Sequence, residues 1–386
     1  MKRKQSRTKS KKRGSQPKRK AQSKRKAPSK QSKPKKRDTK RSAKKQAARS
    51  SKRKAKKEAR GSRTRLRRIR KGVTYLITKK TNDDQFILRP DGTVNQVLLF
   101  LLILNVNKHG MLLHAFSVMS NHIHLVVTDV EGRLPKFMRE FLGESGKAIK
   151  IATGSTRRVW SPERYSAVEL LDRDAVERMI TYCQTNPTKA GLTLPEDWPG
   201  LTSARNKFGD TLIARKPEFY FGEKRPNLVS CELAPIPRRI GVSLVAEGAK
   251  GAETAEAEVL SPKAYRERCK RQQAKIEQRV AQSVEEILRK READGKSELL
   301  GKERVLAASR LRRGTTYFRD GISPMFATTN AELMKQAKDA YKRFQIEHND
   351  AKESYIAGKT GVFFPEGTYG YRELLRVNVR EGGSAV

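Results

Sequence analysis

The sequence predicts an α+β domain in the middle of the chain, and the order of its segments supports this prediction. Segments with alternating apolar residues and segments with apolar residues at helical spacing follow one another as strand, helix, two strands, helix, strand. A short turn separates the two central strands, which are therefore expected to pair as a hairpin. This order is typical of the ferredoxin-like, or split βαβ, fold, in which an antiparallel sheet carries helices on one face and leaves the other face open.

Each element is placed by its residue types. In chain order the predicted elements are strand 73–78, helix 93–107, strands 112–118 and 120–127, helix 134–151, strand 165–171 and helix 174–186. Strand formers dominate the first strand, and Gly110 follows the first helix as a residue that commonly ends helices. Pro187 predicts that the last helix ends at or near Asn186, because the residue before a proline disfavours helical geometry.

Two histidines occupy alternate positions of the strand at residues 120–127, SNHIHLVV. Side chains alternate between the two faces of a strand, so His122 and His124 share one face, and the apolar set Ile123, Leu125 and Val127 shares the other. Two imidazoles on neighbouring positions of one face can bind the same divalent cation. Taken alone, such a pair is more often two polar residues on a solvated sheet face, so a second segment is needed to favour a metal site.

That second segment lies about 60 residues downstream. Its apolar side chains recur at helical spacing, at Val176, Met179, Ile180 and Cys183. Asp172 or Asp174 can cap the start of this helix. Tyr182 and Asn186 are four residues apart, so they lie one above the other at the edge of the apolar stripe. Taken alone, they would be a tyrosine at the rim of the core and an asparagine at the end of a helix.

Together the two segments resemble a known family. Residues 113–127, LHAFSVMSNHIHLVV, resemble the HUH motif of the IS200-like single-tyrosine transposases, in particular the REP-associated tyrosine transposase branch. Residues 182–192, YCQTNPTKAGL, are similar to the catalytic helix of that branch and the turn after it. The resemblance spans roughly residues 72–203, and the motifs occur in the family's order and at about its spacing. The fold that it implies is the ferredoxin-like fold predicted above.

The resemblance implies a DNA transposase that cleaves and rejoins single-stranded DNA. Tyr182 would be the nucleophile and form a 5′-phosphotyrosine, while His122 and His124 would bind a divalent metal ion, Mg²⁺ or Mn²⁺. The family's third metal ligand lies four residues after the tyrosine and is often glutamine; here it is Asn186, shorter by one methylene. Tyr165, at the start of the fourth strand, is a second candidate nucleophile. The resemblance further implies hairpin or palindromic single-stranded DNA as the partner, and a homodimer.

The positive charge of the chain is concentrated in its N-terminal part. The formal net charge is +45, and residues 1–71 hold 36 Lys and Arg against Asp38 and Glu58. Such a segment has almost nothing to bury, so we predict a disordered basic tail. It would neutralise phosphates and bind nucleic acid with little sequence preference and steep salt dependence. A solvating tail or a nuclear-localisation segment would have the same composition.

The remaining sequence completes a four-part organisation. We predict a basic tail at 1–71, the catalytic domain at 72–205, an extended segment and linker at 206–260, and a mostly helical extension at 261–386. The longest apolar run, residues 97–104, is too short to span a membrane and indicates a buried helix. Cys183, Cys231 and Cys269 lie far apart without CxxC spacing, which argues against a zinc module or a disulfide framework. We therefore expect a cytoplasmic, nucleoid-associated protein.

Three other classes of protein compete with a transposase. A histidine-triad nucleotide hydrolase requires a third alternate histidine, and Val126 occupies that position. A non-catalytic protein that binds single-stranded DNA or RNA on the same fold remains an alternative. The signature of RNA-binding proteins with this fold places aromatic residues on the central strands, and Phe116 is the only aromatic residue near that position. Replication initiators and relaxases usually reverse the order of tyrosine and histidines or add a third histidine, so the sequence favours the transposase.

Overall fold

The computed structural model describes residues 66–240, 260–296, 298–314 and 324–380. The predicted disorder of the tail falls mostly on residues 1–65, which lie outside this range, whereas residues 66–71 are described. Within them, the guanidinium of Arg70 is buried and pairs with the buried carboxylate of Glu169. The packed chain therefore begins before residue 72, the boundary predicted from the sequence.

The elements predicted for the central domain all form, with ends within three residues of those expected. The strands are β1 (Val73–Lys80), β2 (Met111–Val118), β3 (His122–Asp129), β4 (Ser166–Leu170), β5 (Thr211–Arg215), β6 (Leu228–Glu232), β7 (Phe326–Ala327), β8 (Phe363–Phe364) and β9 (Asn378–Val379). The α-helices are α1 (Gly92–His109), α2 (Leu134–Thr153), α3 (Arg173–Lys189), α4 (Pro262–Ala293), α5 (Lys302–Ala307), α6 (Ala331–Ile356) and α7 (Gly370–Leu375). The prediction of an α+β fold is thus confirmed.

The central sheet has the strand order β2-β3-β1-β4-β7. Neighbouring strands are antiparallel except β4 and β7, which are parallel, and β2 and β3 form the expected hairpin. The register of this hairpin shifts at His114, where a bulge turns the side chain into the interior. The ring of His114 is fully buried and bonds the hydroxyl of Thr128 at 2.8 Å and the carbonyl of Ala234 at 2.9 Å. The bulge is therefore fixed by side-chain bonds.

Both faces of this sheet are buried, so the prediction that helices occupy one face and leave the other open is wrong. His124 and its cross-strand partner Thr78 share one face. Helix α3 lies over this face, with the ring of Tyr182 against the ring of His124. Val126, two residues after His124, is fully buried on the same face and needs apolar cover, which the stripe of α3 supplies. Leu125, on the opposite face, is buried as well.

Helix α3 starts as expected but ends later. The carboxylate of Asp172 caps its first turn, accepting a main-chain hydrogen bond at 2.6 Å. The prediction that the helix ends near Asn186 is wrong, because it continues through Pro187 to Lys189. A proline in the last turn removes a single helical hydrogen bond, and the bond that ends the helix remains, with the amide of Ala190 donating to the carbonyl of Asn186 at 3.0 Å.

The apolar run at residues 97–104 forms the middle of α1, as predicted, and its largest side chains are buried. The carboxylate of Asp91 caps the helix by accepting from the amide of Val94 at 2.7 Å. Gly110 ends it at φ 63°, a left-handed conformation that glycine adopts without strain. In the ranges that the structure describes, none of the helices combines the length and the hydrophobicity of a transmembrane span.

The C-terminal residues pack on the sheet domain. One side of α4 lies along α3. Lys275 of α4 pairs with the buried Glu177 of α3 at 2.8 Å, and Arg279 pairs with Asp174 at 2.8 Å. β7 extends the sheet beyond β4, and Phe364 of β8 is fully buried. The helix that carries Tyr182 is therefore held between the sheet and α4.

Candidate active site

The structure brings together the four site residues predicted from the sequence. His122 and His124 project from the same face of β3, with ring centroids 4.7 Å apart. Tyr182 and Asn186 face them from α3. The ring centroid of Tyr182 is 5.1 Å from that of His124, and Nδ2 of Asn186 is 3.1 Å from Nε2 of His122. The side chain of Asn186 is thus long enough to reach the histidine pair.

Two neighbouring side chains hold the histidine rings through Nδ1. Oδ1 of Asn121 lies 2.8 Å from Nδ1 of His122, and Oγ1 of Thr78 lies 2.9 Å from Nδ1 of His124. The amide oxygen of Asn121 accepts and does not donate, so Nδ1 of His122 carries the proton. The hydroxyl of Thr78 can accept a hydrogen bond from Nδ1 of His124, which gives His124 the same tautomer. In this arrangement both Nε2 atoms keep a lone pair for another ligand.

The donor atoms of this site fit a divalent metal ion. Nε2 of His124 is buried and has no hydrogen-bond partner among the described residues. Nε2 of His122 faces the amide of Asn186, and a 180° turn of that amide would present its oxygen instead. Two imidazoles and an amide oxygen suit Mn²⁺ or a transition metal better than Mg²⁺, which prefers oxygen ligands.

The third protein ligand would have to be an amide. Within the described ranges, no group of three His, Cys, Asp or Glu side chains is placed to hold a metal ion. The candidate site has two histidines, so a third protein ligand would come from Asn186, whose amide lies beside His122. A site with only three protein ligands leaves coordination positions for substrate or water, as catalytic metal sites do.

Burial keeps both imidazoles neutral. It lowers the pKa of His122 to about 4, and the positive charge of Lys80 acts in the same direction while Asp84 opposes it. Burial also holds the pKa of His124 well below its usual range, with a further contribution from His122. A metal ligand must be deprotonated, so at neutral pH neither ring has to lose a proton before it binds a metal ion.

Tyr182 is half-buried, and its helix is firmly anchored. Its neighbour Cys183 is fully buried, so the helix backbone is fixed by the core while the tyrosine ring stays at its edge. Nζ of Lys189 lies 5.1 Å from the centroid of the Tyr182 ring. Nearer the start of the helix, the carboxylate of Glu177 forms an ion pair with Lys275. This arrangement gives a tyrosine with a fixed backbone beside two neutral imidazoles.

The second candidate nucleophile, Tyr165, lies elsewhere. It precedes β4, whose first residue Ser166 pairs with Thr78 on the histidine face, so Tyr165 itself belongs to the opposite face. The guanidinium of Arg67 covers its ring, 3.8 Å from the centroid. Burial raises the pKa of its hydroxyl, and the charge of Arg67 opposes this rise. The sheet therefore separates Tyr165 from His124.

Sequence reasoning missed Thr78 and Asn121, which hold the two rings. Thr78 could not be found from the sequence, because its contact with His124 depends on the register of β1 and β3. Asn121 directly precedes His122, and its side chain could have been considered as a partner of Nδ1 from sequence adjacency alone. Metal-binding histidines usually donate a hydrogen bond from the N–H of their second ring nitrogen to such an acceptor.

No family model matches this sequence, and neither does any curated protein. Among solved structures, the chain is similar to a REP-associated tyrosine transposase bound to a REP hairpin, with 21% identity over 42% of this chain and 93% of that chain and a TM-score of 0.31. It is also similar to a protein from Deinococcus radiodurans R1 described as a candidate transposase, with 20% identity over 27% of this chain and 84% of that chain and a TM-score of 0.23. At such TM-scores, function has to be argued from the residues of this chain.

Proposed function

We propose that this chain is a metal-dependent, single-tyrosine DNA transposase that cleaves and rejoins single-stranded DNA. The observation that supports the proposal is the convergence of Tyr182 on α3 with His122 and His124 on β3. A phenol next to two neutral imidazoles with available lone pairs is a nucleophile beside a metal-binding pair. The order β4-β1-β3-β2 within the sheet supports a ferredoxin-like fold for this domain, with α3 added over the second face.

In the proposed reaction, the hydroxyl oxygen of Tyr182 attacks the phosphorus of a phosphodiester. The bond from phosphorus to the 3′ oxygen breaks, the phenolic proton passes to solvent, and the 3′ oxygen takes up a proton as a free 3′-OH. The 5′ end stays attached to Tyr182 as a phosphotyrosine, which conserves the energy of the broken bond, so another 3′-OH can reverse the step and rejoin the strand. An ordinary phenol has a pKa of about 10, so its anion needs positive charge nearby, and Lys189 supplies one such charge.

His122, His124 and Asn186 would hold the divalent ion in this reaction. When bound, the ion polarises the scissile phosphate and stabilises the negative charge that develops in the transition state. Asn121 and Thr78 keep Nδ1 of each ring occupied, so that Nε2 remains the ligand atom. The rigid positions of β3 and α3 fix the distance between the phosphate site and the attacking oxygen.

The substrate would be a hairpin or palindromic single strand. The basic segment at residues 1–65 would add non-specific attraction to its phosphates. The four-part organisation, a homodimer, and a cytoplasmic, nucleoid-associated location belong to the same proposal. They follow from the sequence resemblance and from the charge distribution.

The combined substitution of His122→Ala and His124→Ala tests the metal role. The wild-type protein should nick a single-stranded hairpin oligonucleotide with Mn²⁺ or Mg²⁺ and stop in EDTA. The double variant should lose cleavage but keep most of its DNA affinity, because phosphates are attracted chiefly by Lys and Arg. Undiminished cleavage in EDTA would refute the metal role. Binding without cleavage under any divalent ion would favour a non-catalytic nucleic-acid-binding protein.

A further inference from the structure

We propose that residues 308–314, named here the basic strap, form a contact surface for the phosphodiester backbone of a single strand through Arg312 and Arg313. The proposal rests on the proposed function, because it places this surface at the edge of the candidate active site. The surrounding residues 302–314 hold five basic side chains and one acidic one. Such a local excess of positive charge attracts phosphates.

Main-chain hydrogen bonds attach the basic strap to the loop between β1 and α1. The amide of Phe86 donates to the carbonyl of Arg312, and the amide of Gly314 donates to the carbonyl of Asp84, each at 2.9 Å. The side chain of Arg310 adds a bond to another carbonyl of this loop at 2.7 Å. The backbone beneath Arg312 is therefore held at a defined position on the domain, although the strap lies more than 200 residues from the loop in sequence.

The strap ends against the hairpin that carries the histidines. A Cβ added to Gly314 would lie 2.5 Å from Nδ2 of Asn121, so the glycine permits a close approach that a side chain would disturb. The same side chain of Asn121 bonds Nδ1 of His122. A single side chain thus separates the basic strap from a candidate metal ligand. A strand of nucleic acid bound at His122 and Tyr182 would therefore pass close to the strap.

The arginines of the strap have different surroundings. Arg310 is half-buried and pairs with a carboxylate of the loop, so its charge is already neutralised. Arg312 and Arg313 are exposed, and the guanidinium of Arg312 lies 5.9 Å from the centroid of the Phe86 ring, a contact that leaves its charge in place. The carboxylate of Asp84 on the facing loop is paired with Lys80 at 3.0 Å. Two exposed guanidinium groups, each able to bind a phosphate through two parallel hydrogen bonds, are therefore available beside the candidate site.

Arg312→Gln combined with Arg313→Gln tests the proposal in the full-length protein. Binding of a labelled single-stranded oligonucleotide is measured over a range of salt concentrations, without divalent ions. Loss of two phosphate contacts should weaken binding about tenfold at low salt and flatten the slope of log K against log salt by about 1.4, since each contact to a single strand contributes about 0.7. Arg312→Lys combined with Arg313→Lys keeps both charges and should restore most of the slope.

Arg266→Gln combined with Arg271→Gln is the matched control. Both arginines are exposed on the first half of α4, and the change in charge is the same. This control should change affinity by less than about twofold, because screening weakens the effect of distant charges. Equal losses in the two glutamine variants, or an unchanged salt slope for the strap variant, would overturn the proposal.

Cleavage with Mn²⁺, assayed in parallel, separates this proposal from the proposed function. A wild-type protein that cleaves, together with equal losses of binding in the two variants, refutes only the contact surface. If the strap variant alone loses binding and the wild-type protein does not cleave, the proposed reaction is refuted, but the proposed contact surface is supported.

Discussion

Replacing Thr78 by valine should weaken binding of a divalent metal ion while leaving the fold intact. Oγ1 of Thr78 lies 2.9 Å from Nδ1 of His124, and valine keeps the shape of the side chain but removes this acceptor. The ring is then free to adopt the tautomer in which Nε2 carries the proton and cannot bind a metal ion. Loss of such a supporting bond lowers metal affinity about 10- to 100-fold, which corresponds to about 1.4 to 2.7 kcal/mol of binding free energy.

The assay is calorimetric titration of Mn²⁺ into the full-length protein, combined with chemical denaturation. The substitution also leaves a buried ring nitrogen without its partner, so the free energy of unfolding should fall by about 1 to 3 kcal/mol. Thr74→Val is the matched control. Thr74 lies on the same strand and face, but its hydroxyl bonds Thr128 at 2.7 Å and not a histidine. The control should lose stability without losing Mn²⁺ affinity. Equal Mn²⁺ affinities in the two variants would refute the reasoning.

Three further predictions follow from other parts of the chain. Burial lowers the pKa of His114 to about 4, so its protonation favours the unfolded state and stability should fall between about pH 6.5 and 4. In urea denaturation, His114→Gln should remove up to about 1.4 kcal/mol per pH unit of this dependence, and an unchanged dependence would contradict the assignment. Asn186→Ala should weaken Mn²⁺ binding about tenfold, whereas Asn186→Gln, which keeps the amide, should weaken it less; identical losses would argue against an amide ligand. Deletion of residues 1–65 should weaken DNA binding at low salt and flatten its salt dependence while nicking persists at high protein concentration, and an unchanged salt slope would assign the tail another task.

The local geometry of the candidate site could be predicted from the sequence, because it follows from two short periods. Period two along β3 places His122 and His124 on one face whatever surrounds the strand. The helical period of α3 likewise places Tyr182 and Asn186 at one edge of its apolar stripe. Each pair could therefore be read from spacing, and the structure brings the two pairs into contact.

The contacts between distant segments could not be predicted in this way. The bond from Thr78 to His124 joins residues 46 apart, and it exists only in one register of β1 and β3. Strand alternation places Val126 on the histidine face, but it does not show that α3 is the element that covers this face and buries Val126. Helix α3 also passes through Pro187, because the buried last turn outweighs one missing hydrogen bond.

Trapping the covalent intermediate tests the central claim most directly. A single-stranded hairpin oligonucleotide is incubated with the protein and Mn²⁺, the products are separated on a denaturing gel, and the modified residue is mapped by mass spectrometry. We predict a protein–DNA adduct with a 5′-phosphotyrosine on Tyr182, which Tyr182→Phe abolishes and which Tyr165→Phe, altering a tyrosine on the opposite sheet face, leaves in place. An adduct that survives Tyr182→Phe, or a phosphotyrosyl peptide containing Tyr165, would contradict the account.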